Sequence, residues 1–237
     1  MNRRQIDFTL GVVMLDTRFP RPVGDIGNPA TFPCRTLYRR LTGVKVEDVI
    51  VDAAVDPSVA DAVLLAASEL AAEGADMIAT SCGFLAPLQD RAERMIPVPT
   101  ITSALILAPE IRRRHAPAPI GILTFDSRYL TPARFGSHID PSDVIEGIEP
   151  DGELHHVIRN DRMALDTRRA AQEVVAAAYR LIDRSPDIGA ILFECTNFSP
   201  YRDAVIAATG RPVFDITASI REHAARHRPL GSPARTA

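Results

Sequence analysis

The chain repeats itself, and that property limits its possible folds more than any other. Gly11 to Arg18 reads GVVMLDTR, and Gly121 to Arg128 reads GILTFDSR. Met77 to Asp90, MIATSCGFLAPLQD, is matched by Ala190 to Asp203, AILFECTNFSPYRD. Pro97-Val98 with Ile101-Thr102 returns as Pro212-Val213 with Ile216-Thr217. The blocks keep their order and recur 110 to 115 residues apart, as in Asp16 to Asp126, Cys82 to Cys195 and Ile101 to Ile216. Strand–helix units share Pro and Asp at their junctions whatever their ancestry. A cysteine at the same strand end in both halves has no such explanation, so we read two copies of one unit.

The unit is α/β. Apolar runs of strand length alternate with Ala/Leu-rich helical runs, the pattern of βαβ units and a parallel sheet. Strands are expected at 10–15, 47–51, 76–80, 97–101, 120–125, 143–148, 189–193 and 212–216. Helices are expected at 57–73, 86–94, 102–115, 166–184, 200–209 and 217–227. Asp56-Pro57 is a good helix start and Gly74 a good stop. The expected architecture is two pseudo-symmetric Rossmann-like lobes, each a mostly parallel sheet flanked by helices. The first lobe covers 1–102 and the second 103–216, with 217–237 free to return to the first. Ligands of such sheets sit beyond the carboxyl ends of the strands, which puts the site in the cleft between lobes.

Composition removes several function classes. With 46% hydrophobic and 24% charged residues, the chain reads as a soluble, cytoplasmic protein. It has no apolar run near the roughly 20 residues that span a bilayer and no signal-peptide centre in Met1 to Thr9. A net charge of −3 with scattered arginines gives no nucleic-acid footprint. Arg112, Arg113 and Arg114 suit a helix C-terminus. Cys34, Cys82 and Cys195 form no C-x-x-C pair, and His155-His156 lacks a spaced third ligand, so no metal is expected. The only lysine, Lys45, follows a Gly turn and is a poor Schiff-base candidate for PLP. Neither G-x-G-x-x-G nor G-x-x-x-x-G-K-[ST] occurs. No cofactor is expected. Apolar helix stripes are available for a homo-oligomer interface. Arg228 to Ala237, rich in Pro, Gly and Arg, is expected to be disordered.

Four strand ends carry chemistry: Asp16, Cys82, Asp126 and Cys195. Facing thiols suit proton transfer at a carbon acid, one sulfur taking the proton on one face while the other delivers it on the opposite face. Each cysteine precedes an expected helix, whose N-terminal field lowers a thiol pKa and steadies an anion. The N–H groups of Gly83, Phe84, Thr196 and Asn197 are candidates to hold an enolate-like oxygen. The hydroxyls of Thr17, Ser81, Ser127 and Thr196 are candidate helpers.

These residues resemble the aspartate/glutamate/hydantoin racemase superfamily over nearly the whole chain. Asp16-Thr17 after a strand is similar to the Asp-Ser motif of glutamate racemases; Cys82 and Cys195-Thr196 match the two catalytic cysteines. The resemblance implies a cofactor-independent two-thiol mechanism on a small carboxylate or hydantoin-like substrate, with Asp16 catalytic beside Cys82 and Cys195. Two departures stand out. Cys82-Gly83-Phe84 replaces the Cys-Asn-Thr of amino-acid racemases, and Asn197 stands where His or Glu commonly follows Cys-Thr. Both point away from free glutamate or aspartate. Racemisation or epimerisation is the leading expectation. A cis–trans isomerase or decarboxylase using one cysteine is the alternative, and a non-catalytic small-molecule binder the third.

The remaining polar residues carry two readings each. Asp16 and Asp126 are either site residues or turn caps. Arg18 and Arg128 either grip a carboxylate or form surface pairs. Glu194 either tunes Cys195 or points into the other lobe. Asp25 and Asn28, in GDIGNPA, form a turn or belong to a loop covering the cleft. Cys34 reads as structural.

Overall fold

A computed structural model describes residues 6–226. The expectations for Arg228 to Ala237 lie outside these described residues. The first sheet has the order β2-β1-β3-β4, from strands β1 (Ile6–Leu15), β2 (Cys34–Leu41), β3 (Met77–Thr80) and β4 (Thr100–Ile101). The second has the order β6-β5-β7-β8, from β5 (Ile120–Thr124), β6 (Val144–Gly147), β7 (Ala190–Phe193) and β8 (Val213–Phe214). Every pairing in both sheets is parallel. The repeat in the sequence is therefore a repeat in topology, strand for strand.

The matched glycines in GVVM and GILT show how the repeat packs. A methyl group on Gly11 would meet Ile78 Cδ1 at 2.7 Å and Leu70 Cβ at 3.1 Å. One on Gly121 would meet Leu181 Cδ1 at 3.0 Å. Leu70 belongs to α2 (Pro57–Ala72) and Leu181 to α7 (Thr167–Arg184). Each long helix thus comes close to its central strand only because that strand carries glycine. Capping fits the sequence reading: Asp56 accepts from the Ser58 N–H at 2.8 Å, and Asp166 from those of Arg168 and Arg169.

One expected strand is a helix, and one real strand was not anticipated. Residues 47–51 hold a short helix, α1 (Val46–Val49), whose first turn contains Glu47 and Asp48. Val49 and Ile50 are buried, and Ile50 lines the pocket between the lobes. The second strand of the first sheet is instead β2, CRTLYRRL, at a sheet edge with mostly half-buried side chains. An edge strand studded with arginines lacks the apolar run that marks a buried strand.

The other helices are α3 (Gln89–Met95), α4 (Ala108–His115), α5 (Pro132–Phe135), α6 (Glu153–Arg159), α8 (Arg202–Thr209) and α9 (Ile216–Ala225). Helix α9 returns to the first sheet, where the His223 and Phe8 rings lie 5.8 Å apart. Helix α4 packs on the second sheet, with His115 and Phe214 also 5.8 Å apart. No helix among the described residues is long and apolar enough to cross a membrane.

Candidate active site

The carboxyl ends of β3 and β7 carry Ser81-Cys82 and Glu194-Cys195. In both lobes the chain leaves the strand in extended conformation and turns into a 3-10 helix, Gly83–Leu88 or Thr196–Tyr201. Each cysteine is the N-cap residue, and the N–H two residues on, from Phe84 or Asn197, works to lower its pKa. The Thr196 hydroxyl donates to the Ser81 carbonyl at 2.8 Å, joining the two strand ends. Cys82 and Cys195 line one pocket, together with Thr17, Ser81, Gly83, Phe84, Thr196 and Asn197. Eight of the residues nominated from sequence thus meet in one place.

Three nominated residues lie elsewhere. Asp16 turns from the pocket to accept from the Gly43 N–H at 2.9 Å, closing the turn after β2, with Arg40 3.9 Å away. Asp126 caps the 3-10 turn Ser127–Tyr129 and pairs with Arg128 at 2.6 Å. Burial works to raise the Asp126 carboxyl, but Arg128 more than offsets this and holds it below the usual range. Ser127 is exposed and borders Gly147, not the cysteines. Both aspartates hold turns, Asp16 the one after β2 and Asp126 the one after its own strand, a role their residue type favours. Arg128 is spent on Asp126, and half-buried Cys34 lies in β2.

Other pocket residues were not nominated from the sequence. The loop after β1 lays Phe19 and Arg21 against the pocket, and Val46, Ile50, Phe125 and Ile158 add apolar wall. That loop is tied to the second lobe. Asp161 accepts from the Arg18 and Phe19 N–H groups at 2.6 and 2.9 Å, and Asp25 accepts from Asn197 Nδ2 at 2.7 Å. It covers the cleft, the less obvious of its two sequence readings. Across the pocket, Arg134 of α5 donates to the carbonyls of Val49 at 2.7 Å and Val51 at 2.5 Å, and lies 5.5 Å over the Phe84 ring.

Glu194 is the most demanding group. It is fully buried, and its Oε2 accepts from the Thr124 hydroxyl at 2.8 Å. Its Oε1 has no hydrogen-bond partner among the described residues and lies against the Cα of Gly83. Burial pushes its carboxyl up to about 7. Burial first, and the Glu194 charge second, push Cys82 up to about 12 and Cys195 well above its ordinary value. This reverses the expectation of lowered thiol pKa values. One N–H per sulfur does not make up for removal from water in a closed pocket.

Glu194 also couples stability to pH. The folded chain keeps its proton to about pH 7, whereas the group's ordinary value is 4.5. Between those values the native state binds more protons, so stability falls as pH rises through the window, by about 3 kcal/mol in all. In urea unfolding from pH 4.5 to 8, Glu194→Gln is expected to flatten that decline. An unchanged slope would show that the carboxylate is not desolvated as described.

Among the described residues no group of three or more His, Cys, Asp or Glu side chains is arranged to hold a metal ion. The family model for Asp/Glu/Hydantoin racemase matches residues 32–224. Dimethylsulfoniopropionate lyase 7 of Emiliania huxleyi is 32% identical over 232 residues, covering 89% of this chain and 64% of the relative. Dimethylsulfoniopropionate lyase 3 of the same organism is 31% identical over 220 residues, 87% of this chain and 56% of the relative. The chain thus spans only about 56–64% of those two relatives' length. A dimethylsulfoniopropionate lyase of Durusdinium sp. clade D is 30% identical over 220 residues, 89% of this chain and 72% of the relative. Among solved structures, unliganded arylmalonate decarboxylase shares the fold with a TM-score of 0.59 at 16% identity, over 97% of this chain and 96% of that one. Glutamate racemase from Francisella tularensis in complex with D-glutamate does so with a TM-score of 0.57 at 10% identity, over 93% and 80%.

Proposed function

Because the chain belongs to the Asp/Glu/hydantoin racemase family, we propose that it performs carbon-acid chemistry with its pocket thiols, as a cofactor-independent lyase. Its substrate is a small carboxylate bearing a cationic leaving group on the β-carbon, and dimethylsulfoniopropionate is the compound to test first. A pocket thiolate takes a proton from the carbon next to the carboxylate. The C–H electron pair becomes the new C=C bond, and the C–S bond breaks with its pair moving onto the sulfonium sulfur. Neutral dimethyl sulfide and acrylate leave, and the proton on the thiol passes to solvent.

The observation that carries this reading is Glu194, buried beside both thiols with an oxygen that has no hydrogen-bond partner among the described residues. Once ionised, above about pH 7, Glu194 opposes a substrate that brings only more negative charge. It favours a cation. The cation also addresses the raised thiol pKa values. A positive charge about 4 Å from a sulfur is worth about 4 kcal/mol at an effective dielectric of 20, close to a thousandfold in thiolate population. The substrate then helps to make its own base. The relatives near 30% identity, named dimethylsulfoniopropionate lyases, agree in substrate class.

Racemisation or epimerisation remains the second reading, favoured by the matched thiols in one pocket. One experiment separates the two. The protein is incubated in D₂O with dimethylsulfoniopropionate, amino acids, 5-substituted hydantoins and arylmalonates, and followed by NMR. Dimethyl sulfide with acrylate is expected. Deuterium at Cα of an amino acid or hydantoin, with dimethylsulfoniopropionate untouched, would replace the lyase reading with the racemase one. Loss of CO₂ from an arylmalonate alone would replace it with decarboxylation.

A further inference from the structure

The two lobes hold their cysteines alike in backbone and unlike in side chains. Among the described residues no comparable line of side chains leads away from Cys82. The Cys195 sulfur lies 3.6 Å from Asn197 Oδ1, and Asn197 Nδ2 donates to Asp25 Oδ2 at 2.7 Å. Asp25 Oδ1 accepts from Arg21 at 3.0 Å and from the Gly27 N–H at 2.7 Å. Arg21 also donates to the Thr17 hydroxyl at 2.9 Å. Asp25 is fully buried, and Arg21 and Asn197 are nearly so.

Donor and acceptor logic runs one way along this chain. Asp25 accepts three hydrogen bonds and forms an ion pair with Arg21, the pattern of a carboxylate. A carboxylate has no proton to give, so the Asn197 NH₂ must face it. The Asn197 carbonyl must then face Cys195, and a carbonyl accepts only. The sulfur on that line must be S–H. A hydrogen bond made to the neutral form of an acid opposes its ionisation. At the corresponding site, Cys82 is followed by Gly83 and Phe84, which offer no side-chain acceptor.

We propose that Asp25 is a positioning residue that makes the two thiols inequivalent: through Asn197 it keeps the proton on Cys195, so that Cys82 is the sulfur that ionises first and acts as the base. This rests on the reading of the pocket thiols as proton-transfer groups. It deepens that reading by assigning their roles. The charged and titratable groups around the pair are Glu194 near both sulfurs, Arg21 and Arg134 near Cys82, and Asp25 near Cys195. The cations thus lie on the side of the proposed thiolate.

The test needs no substrate. In a Cys34→Ser background, Cys82→Ser and Cys195→Ser proteins each leave one pocket thiol, whose ionisation is followed by thiolate absorbance and by the pH dependence of iodoacetamide alkylation. Cys195 is expected to ionise at least about one pH unit above Cys82. Asn197→Ala, which keeps the Asp25 charge and removes both the acceptor at Cys195 and the amide donor to Asp25, is expected to lower Cys195 and leave Cys82 unchanged. Asp25→Asn, which frees the Asn197 amide to turn over, should do the same. Circular dichroism checks that each variant is folded. If Asp25→Asn is not, Asn197→Ala and the order of the two thiols still decide. Cys195 ionising with or before Cys82, or staying put in Asn197→Ala, overturns the proposal. Inequivalent thiols in a protein that makes no acrylate would keep this assignment and remove the lyase reading.

Discussion

Cys82→Ser is expected to lower kcat for elimination by about 10³-fold or more while leaving the protein folded. A serine hydroxyl fills nearly the same space beside the Phe84 N–H, but it does not ionise in the range where a thiol does. The loss is then that of a general base, which contributes about 10²- to 10⁴-fold. That corresponds to about 4 kcal/mol of barrier. Cys195→Ser should lose less, about tenfold, because a hydroxyl still donates to Asn197 Oδ1 in place of the thiol. Steady-state kinetics with circular dichroism checks both. Equal, complete loss in the two variants would indicate that the sulfurs share the work symmetrically, as two-base racemisation demands.

Among single substitutions, the largest loss of stability is expected at Gly83. A methyl group there would overlap both the Oε1 and the carbonyl oxygen of Glu194. Neither is a flexible side-chain end free to swing away. The carbonyl belongs to the backbone leaving β7, and the carboxylate is held by Thr124. The two lobes meet at this point through the Thr196–Ser81 hydrogen bond. Gly83→Ala must therefore displace one strand end against the other, at a cost of about 1–3 kcal/mol. Shortening Glu194 to Ala in the same chain is expected to restore only part of that, since the backbone oxygen stays. Denaturant unfolding of the single and double variants measures this. Full rescue by Glu194→Ala would place the whole conflict on the carboxylate. This contact also revises the meaning of Cys82-Gly83-Phe84. Glycine follows the cysteine because Glu194 of the other lobe occupies the space, whatever the substrate.

What sequence could reveal follows the physics of each element. The duplication was legible because paired glycines, cysteines and prolines repeat in register, and the parallel topology because buried central strands are continuous apolar runs. Strand β2 was hidden, since an edge strand with four basic or polar positions in CRTLYRRL looks like a loop. The 47–51 segment misled in the opposite direction: Val49 and Ile50 are apolar because they are buried, with Ile50 lining the pocket. At the site, strand-end cysteines were visible from position alone. Asp16 and Asp126 share that position, yet the Asp16 carboxylate bonds to the turn after β2 and that of Asp126 to the turn that follows it. Arg21 and Asp25 lie in a Gly/Pro-rich loop with no period to read. Their partners are 172 residues away in the case of Asp25 and Asn197. Only the fold brings such pairs together.

The most direct test of thiol-centred elimination is a single-turnover measurement on dimethylsulfoniopropionate carrying deuterium at the carbon next to the carboxylate, followed by release of dimethyl sulfide. If a pocket sulfur removes that hydrogen in the step that forms acrylate, release is expected to slow several-fold with deuterium in the native chain. It should vanish in the Cys82→Ser/Cys195→Ser double variant. Sulfide release at the same rate from both isotopologues, or undiminished release from a folded protein lacking both pocket thiols, would contradict the mechanism.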